Sequence, residues 1–141
     1  MTEKSTFEKV TRSERLLYGP RKLLLCGFAA EGQKKFGTVL EMVGLADIPK
    51  VWLATEQGST PLADLLELPD GSGSGAASAL PRAIIVAGIT EAQLISLMTA
   101  CKKSGMQNPL WAVLTPVSKT WTVQQLLAEL AREREALQKR K

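Results

Sequence analysis

The side chains in this sequence that could do chemistry are few: two cysteines, some carboxylates near strand ends, and a compact Thr-Ser-Lys-Trp segment near the C-terminal end. Histidine is absent from all 141 residues. That removes the commonest general base, most catalytic zinc arrangements and histidine-based triads. Gly27 and Gly88 are single glycines after apolar runs, and the Gly71–Gly75 stretch follows no strand, so no phosphate loop or dinucleotide fingerprint is present. Cys26 ends an apolar run beside a helix start, where a helix dipole would lower its pKa. No base lies near it in sequence, and a buried, inert core cysteine is the favoured reading. Cys26 and Cys101 are too isolated for a disulfide framework or a metal-ligand spacing. Glu31, Glu56 and Glu91 could serve as acid or base, but near helix starts they read more simply as dipole partners. The residues call for no metal and no cofactor.

Four apolar runs must position these groups: Leu23–Cys26, Val51–Ala54, Ala83–Ala87 and Leu110–Leu114. Each is strand-length and none alternates with polar residues, as expected of strands covered on both faces. Helical spacing lies between them. Phe36, Val39, Leu40 and Val43 form one stripe, and Leu94, Leu97, Met98 and Cys101 another. A shorter helix is predicted over Pro61–Leu68, capped by Thr60. A last helix is predicted from Val123 toward Leu137, with Leu126, Leu127 and Leu130 inward. Thr90–Gln93 and Thr122–Gln125 fit capping boxes, with Ile89 stapling onto Leu94 and Trp121 onto Leu126.

The halves resemble each other. Gly27 and Gly88, Gly44 and Gly105, and Leu65-Leu66 and Leu126-Leu127 recur at an offset of 61, while Pro49/Pro109 and Thr55/Thr115 need a one-residue slip. The glycines fall where a strand turns into a helix or a helix ends in a left-handed residue. The expected fold is therefore α/β: a four-stranded, mainly parallel sheet from two β-α-β-α repeats, in the order 2-1-3-4. A ferredoxin-like α+β sandwich is the alternative. It needs the second and third strands to pair antiparallel, which the helix predicted at Pro61–Leu68 disfavours. Residues 1–20 read as an arm, with Phe7, Leu16, Leu17 and Tyr18 docking on the core. Residues 21–69 form the first repeat, 70–80 a flexible Gly/Ser linker, and 81–141 the second repeat with the C-terminal helix, all in one compact domain.

Ligands of parallel α/β sheets bind beyond the C-terminal strand ends, where strand order reverses. With all strands aligned, the Gly27 and Gly88 loops flank that point, and helix-start N–H groups there could hold a small anion. The candidate contacts are Gly27, Gly88, Thr90, Thr115, Ser118, Lys119 and Trp121.

Residues 1–22 carry six bases and three acids, residues 23–80 three bases and seven acids, and residues 81–141 nine bases and four acids. The basic tail Lys139-Arg140-Lys141 reads as a solvated helix end more readily than as a nucleic-acid contact, so nucleic acid is a disfavoured partner. No apolar stretch suits a signal peptide or a membrane helix; Leu23–Cys26 is too short to make Cys26 a lipidation site. A cytoplasmic location and no membrane partner are expected.

The segment Leu110-Trp111-Ala112-Val113-Leu114-Thr115-Pro116-Val117-Ser118-Lys119-Thr120-Trp121-Thr122, followed by Leu126-Leu127 and Glu129-Leu130, resembles the end of an uncharacterised bacterial family, domain-of-unknown-function family 3783. Its members are similar in having a strand ending A-V-L-T-P-T and a helix W-T-x-x-x-L-L-x-E-L. The likeness covers roughly residues 82–131, with Ile84–Ile89 matching the first strand and turn and Glu91–Lys103 the first helix. Val117 stands where a polar residue is usual. The first half would be a diverged tandem copy lacking the Thr-Pro and Trp signals. The resemblance implies no activity. A non-enzymatic module binding a small ligand, such as an anion, or a protein partner is the leading expectation, with a homodimer left open. A small enzyme using Cys26 or a carboxylate on an anionic substrate, and a nucleic-acid accessory protein, are the alternatives.

Overall fold

A computed structural model describes residues 14–76, 78–106 and 109–139. Phe7 and the tail residues Arg140 and Lys141 lie outside them. Four strands form the sheet: β1 (Lys22–Cys26), β2 (Lys50–Leu53), β3 (Ala83–Ala87) and β4 (Leu110–Val113). The helices are α1 (Ala30–Met42), α2 (Leu62–Leu65), α3 (Glu91–Lys103) and α4 (Val123–Lys139). A 3-10 turn precedes α2 (Thr55–Ser59) and another precedes α4 (Ser118–Thr120).

The sheet order is β2-β1-β3-β4. β1 runs parallel to β2, and β3 parallel to β4, so the sheet is mainly parallel. The central pair, β1 and β3, is antiparallel, with Leu24 opposite Ile85 at its midpoint. This corrects the expectation that all four strands run the same way. It also removes the ferredoxin-like alternative, because β2 and β3 are not neighbours.

Both sheet faces are covered, as the unbroken apolar runs require. Successive side chains of a strand point to opposite faces. Leu23 and Leu25 therefore join Phe36, Leu40, Ile84, Val86, Leu97 and Cys101 under α1 and α3. Leu24 and Cys26 join Val51, Leu53, Leu62, Leu65, Ile85 and Leu126 under α2 and α4. Burying each such Leu or Ile contributes about 1.5–3 kcal/mol. Trp52 packs edge-on against Phe28 and Phe36, whose own rings are tilted at 52°, with centroids 5.3–6.2 Å apart, and the Arg82 guanidinium sits 4.9 Å above the Phe28 ring.

Both capping boxes form. Thr90 Oγ1 accepts from Gln93 N at 3.1 Å while Gln93 Oε1 accepts from Thr90 N at 2.9 Å; Thr122 and Gln125 repeat the exchange at 3.2 and 2.8 Å. The helix predicted over Pro61–Leu68 is shorter than expected. Pro61, extended at ψ 145°, takes the N-cap position in place of Thr60. Pro69 and Gly71 then end the local helical path. The Gly/Ser stretch expected as a linker lies along β2: Gly71 N donates to Lys50 O and Trp52 N donates to Ser72 O, both at 2.8 Å. Residues 15–18 of the arm bond to the Gly88–Glu91 loop, through Leu17 N to Ile89 O, Gly88 N to Tyr18 O and Glu91 N to Arg15 O. Leu17 packs on the core, whereas Leu16 and Tyr18 are exposed.

Candidate functional site

The antiparallel central pair separates Gly27 from Gly88. Cys26 is opposite Ala83 and Lys22 opposite Ala87, so the two loops leave opposite ends of the sheet and enclose no common crevice. Each glycine instead admits a passing chain. A Cβ on Gly27 (φ +75°) would lie 2.3 Å from Leu80 O, and one on Gly88 (φ +70°) 2.5 Å from Arg21 N. At the Gly88 loop, three of the N–H groups expected to bind an anion have partners already: Gly88 donates to Tyr18, Glu91 to Arg15 and Thr90 to Gln93.

The Thr115–Trp121 segment does come together, as a self-contained turn. Thr115 N donates to Ser118 Oγ at 3.0 Å, Ser118 N donates to Thr115 Oγ1 at 2.9 Å, and Ser118 is buried. These are local side chain–backbone bonds that close a turn in place of a longer ladder. Trp121 packs on the core beneath α4, and its carbonyl accepts from Leu62 N at 2.9 Å. Lys119 is half-buried beside it.

Cys26 and Cys101 are free and buried, on opposite faces of the sheet. Burial pushes their thiols up, Cys26 to about 12 and Cys101 to about 11, so both stay protonated and poorly nucleophilic near neutral pH. Among the described residues no group of three His, Cys, Asp or Glu gathers as a metal site would require. Glu31 lines an open pocket of about 430 Å³ at the start of α1, shared with Lys35 and Arg82. Glu56 is exposed in the first 3-10 turn, and Glu91 is half-buried at the start of α3.

The sheet's outer edges differ. Ladder bonds of a parallel pair use alternate residues. On β4, Leu110 N reaches Arg82 O and Leu114 N reaches Val86 O, so Trp111 and Val113 direct their backbone groups outward. The corresponding outward residues of β2 are Lys50 and Trp52. There Asp70 Oδ1 accepts from Lys50 N, Gly71 N donates to Lys50 O, and Trp52 N donates to Ser72 O. Gln33 holds the same segment from α1, through Gly75 N and Ala76 O. Among the described residues nothing bonds to the outward groups of Trp111 and Val113. Beside them lies a groove of about 380 Å³ lined by Met98, Cys101, Lys102, Met106, Pro109 and Trp111.

Residues 82–137 match the family described as Domain of unknown function (DUF3783). The DUF3783 segment holds β3, α3, β4, the Thr115–Trp121 turn and most of α4, so the open edge and its groove lie within it. No curated protein and no solved structure matches the chain. No described helix is long and apolar enough to cross a membrane.

The expected sites did not include this edge. Helical spacing assigned Met98 to the core stripe, but it is 39% exposed, and Leu97, Ala100 and Cys101 form the buried face of α3. The one available signal was the contrast between the two segments after the last strand of each half. One holds Pro69-Asp70-Gly71, whereas the other, from Glu129 onward, keeps to good helix formers.

Proposed function

We propose that this protein is a non-enzymatic interaction module whose β4 edge accepts an extended segment of a protein partner. The observation that carries the reading is the contrast between two equivalent edges of one sheet. β2 is covered by the Asp70 carboxylate and the backbone of Gly71 and Ser72, whereas among the described residues nothing bonds to the outward N–H and C=O groups of Trp111 and Val113 beside an apolar groove. Unpaired strand edges are templates for strand addition, in which main-chain bonds give affinity and side-chain pockets give selectivity. The competing small-anion reading has weaker support. Glu31 shares the basic pocket, and Arg82 is engaged with the Phe28 ring. Protonated, buried thiols weigh against the enzyme reading through Cys26.

The two halves are proposed to be tandem copies of one unit. In support, bonds recur at a constant offset of 61. Leu62 N to Trp121 O answers Val123 N to Thr60 O, and Leu45 N to Leu40 O answers Met106 N to Cys101 O. The strand registers keep the same offset, so Lys50 answers Trp111 with no slip. Of the nominated contacts, Gly27, Gly88, Thr90, Thr115, Ser118 and Trp121 are assigned to building the scaffold, and Lys119 alone is left as a candidate contact.

Amide hydrogen exchange of the free full-length chain tests the open edge. The Trp111 and Val113 amides should exchange fast, and the bonded Trp52 amide slowly. Slow exchange at Trp111 and Val113 would mean that the edge is already covered, and the reading would fail.

A further inference from the structure

The way the chain covers its own β2 edge indicates what β4 would take. At β2 the covering segment places a carboxylate on the first outward N–H, a backbone N–H on the same residue's C=O, and a carbonyl on the second outward N–H. The three bonds are Asp70 Oδ1 from Lys50 N at 3.0 Å, Gly71 N to Lys50 O, and Ser72 O from Trp52 N. The first half can supply this cover because its second helix stops after Leu65 and Pro69-Asp70-Gly71 turns the chain back along the sheet. In the second half α4 runs on to Lys139, its Arg134 reaching Pro109 O at 2.8 Å, and among the described residues no backbone segment turns back along Trp111 and Val113.

The surroundings of the two edges differ in chemistry. Gln33, which grips the cover from α1, corresponds to Leu94 on α3. Lys50 corresponds to Trp111, Gly37 to Met98 and Glu41 to Lys102. The β4 edge therefore offers an apolar groove with adaptable methionine walls. Lys102 is the charged group that lines it, and Lys103 follows in the same exposed turn of α3.

Building on the interaction reading, we infer that the β4 edge binds an extended acidic segment of a different protein. A partner carboxylate caps the Trp111 N–H, backbone bonds reach Trp111 C=O and Val113 N–H, and an aliphatic side chain enters the groove between Met98, Met106 and Trp111. Lys102 selects for acidic over basic segments by charge complementarity, which acts on specificity and on-rate more than on raw affinity.

The test is to pan a display library of random nonapeptides on the full-length chain, then synthesise the enriched peptides. Acidic sequences with a central aliphatic residue should dominate, and their binding should slow exchange of the Trp111 and Val113 amides. Val113→Pro removes one outward donor and leaves the β3-facing donors of Leu110 and Leu114; proline is tolerated on an edge. It should weaken binding about tenfold, the worth of one lost hydrogen bond. Lys102→Glu should slow association and abolish the preference for acidic peptides, and Lys35→Glu at the other pocket should do neither. Circular dichroism confirms that each variant is folded. Enriched neutral or basic peptides that still protect Trp111 and Val113 would overturn the acidic partner while leaving the edge reading intact. Peptides whose binding is insensitive to Val113→Pro would overturn both. Concentration-dependent dimerisation of the free chain that protects the same two amides would assign the edge to a second copy and overturn the inference.

Discussion

Gly27 and Gly44 both adopt left-handed backbone, at φ +75° and +77°, but for different reasons. A Cβ on Gly44 would meet nothing within 4 Å, whereas one on Gly27 would lie 2.3 Å from Leu80 O and 2.8 Å from Arg82 N. Gly44→Ala should therefore cost only the backbone penalty, about 1–2 kcal/mol. Gly27→Ala adds a clash with main chain and should cost well above ~2 kcal/mol; urea unfolding of the two variants reads the difference. The buried thiols carry a pH dependence with a definite sign. An unfolded thiol ionises from its ordinary value of 9.0, while the folded Cys26 and Cys101 hold their protons to about 12 and 11. Their contribution to stability is flat below pH 9. It then falls as pH rises toward 11 and 12, because only the unfolded chain gains by ionising. The urea midpoint should drop between pH 8 and 10.5, and drop less in a Cys26→Ala/Cys101→Ala variant. At pH 7.5 neither native thiol should react with an aromatic disulfide reagent until the chain unfolds.

At the scale of elements, the cover on β2 depends on one glycine. A Cβ on Gly73 (φ +77°) would sit 2.0 Å from Trp52 O, so Gly73→Ala should lift residues 70–76 off the edge. The expected readout is faster exchange of the Trp52 amide, with the β1–β3 core amides unchanged; an unaltered Trp52 rate would show that the cover does not need the close approach. Strand positions, both capping boxes and the left-handed helix ends at Gly44 and Gly105 were legible in the sequence because each rests on local pattern, and the order 2-1-3-4 because crossover rules constrain it. The direction of β3 against β1 was not. Right-handed crossovers fix β1 with β2 and β3 with β4, but the 29 residues between Leu53 and Ala83 can bring β3 in either way. That one undetermined sign placed Gly27 and Gly88 in a shared crevice that the fold does not form. The open β4 edge was hidden for a related reason. Whether a strand edge is covered depends on where a distant segment goes, and Trp111 and Val113 look the same in sequence whether covered or bare.

For the whole molecule, the proposed tandem relation has a mechanical consequence. The central pairing is nearly self-complementary: Lys22 faces Ala87, the 61-offset mate of Cys26, and Cys26 faces Ala83, the mate of Lys22. Pro61 likewise bridges Thr122, its own mate. Two identical copies of the second half could repeat all of these contacts about a two-fold axis, with Ile85 opposite Ile85. Alone, that half would leave β3, buried along all five residues, as a bare apolar edge, which the sheet cannot sustain in water. A fragment of residues 78–141 keeps Leu80 to Arg82, which can pack on the partner's Gly88 as Pro20 and Arg21 do in the full chain. It should therefore be folded only as a symmetric dimer. Sedimentation equilibrium should give twice the fragment mass, and helical circular dichroism should fall on dilution as the dimer dissociates. A folded monomeric fragment would show that β3 does not need a β1-like partner, and the two-fold reading of the molecule would be lost.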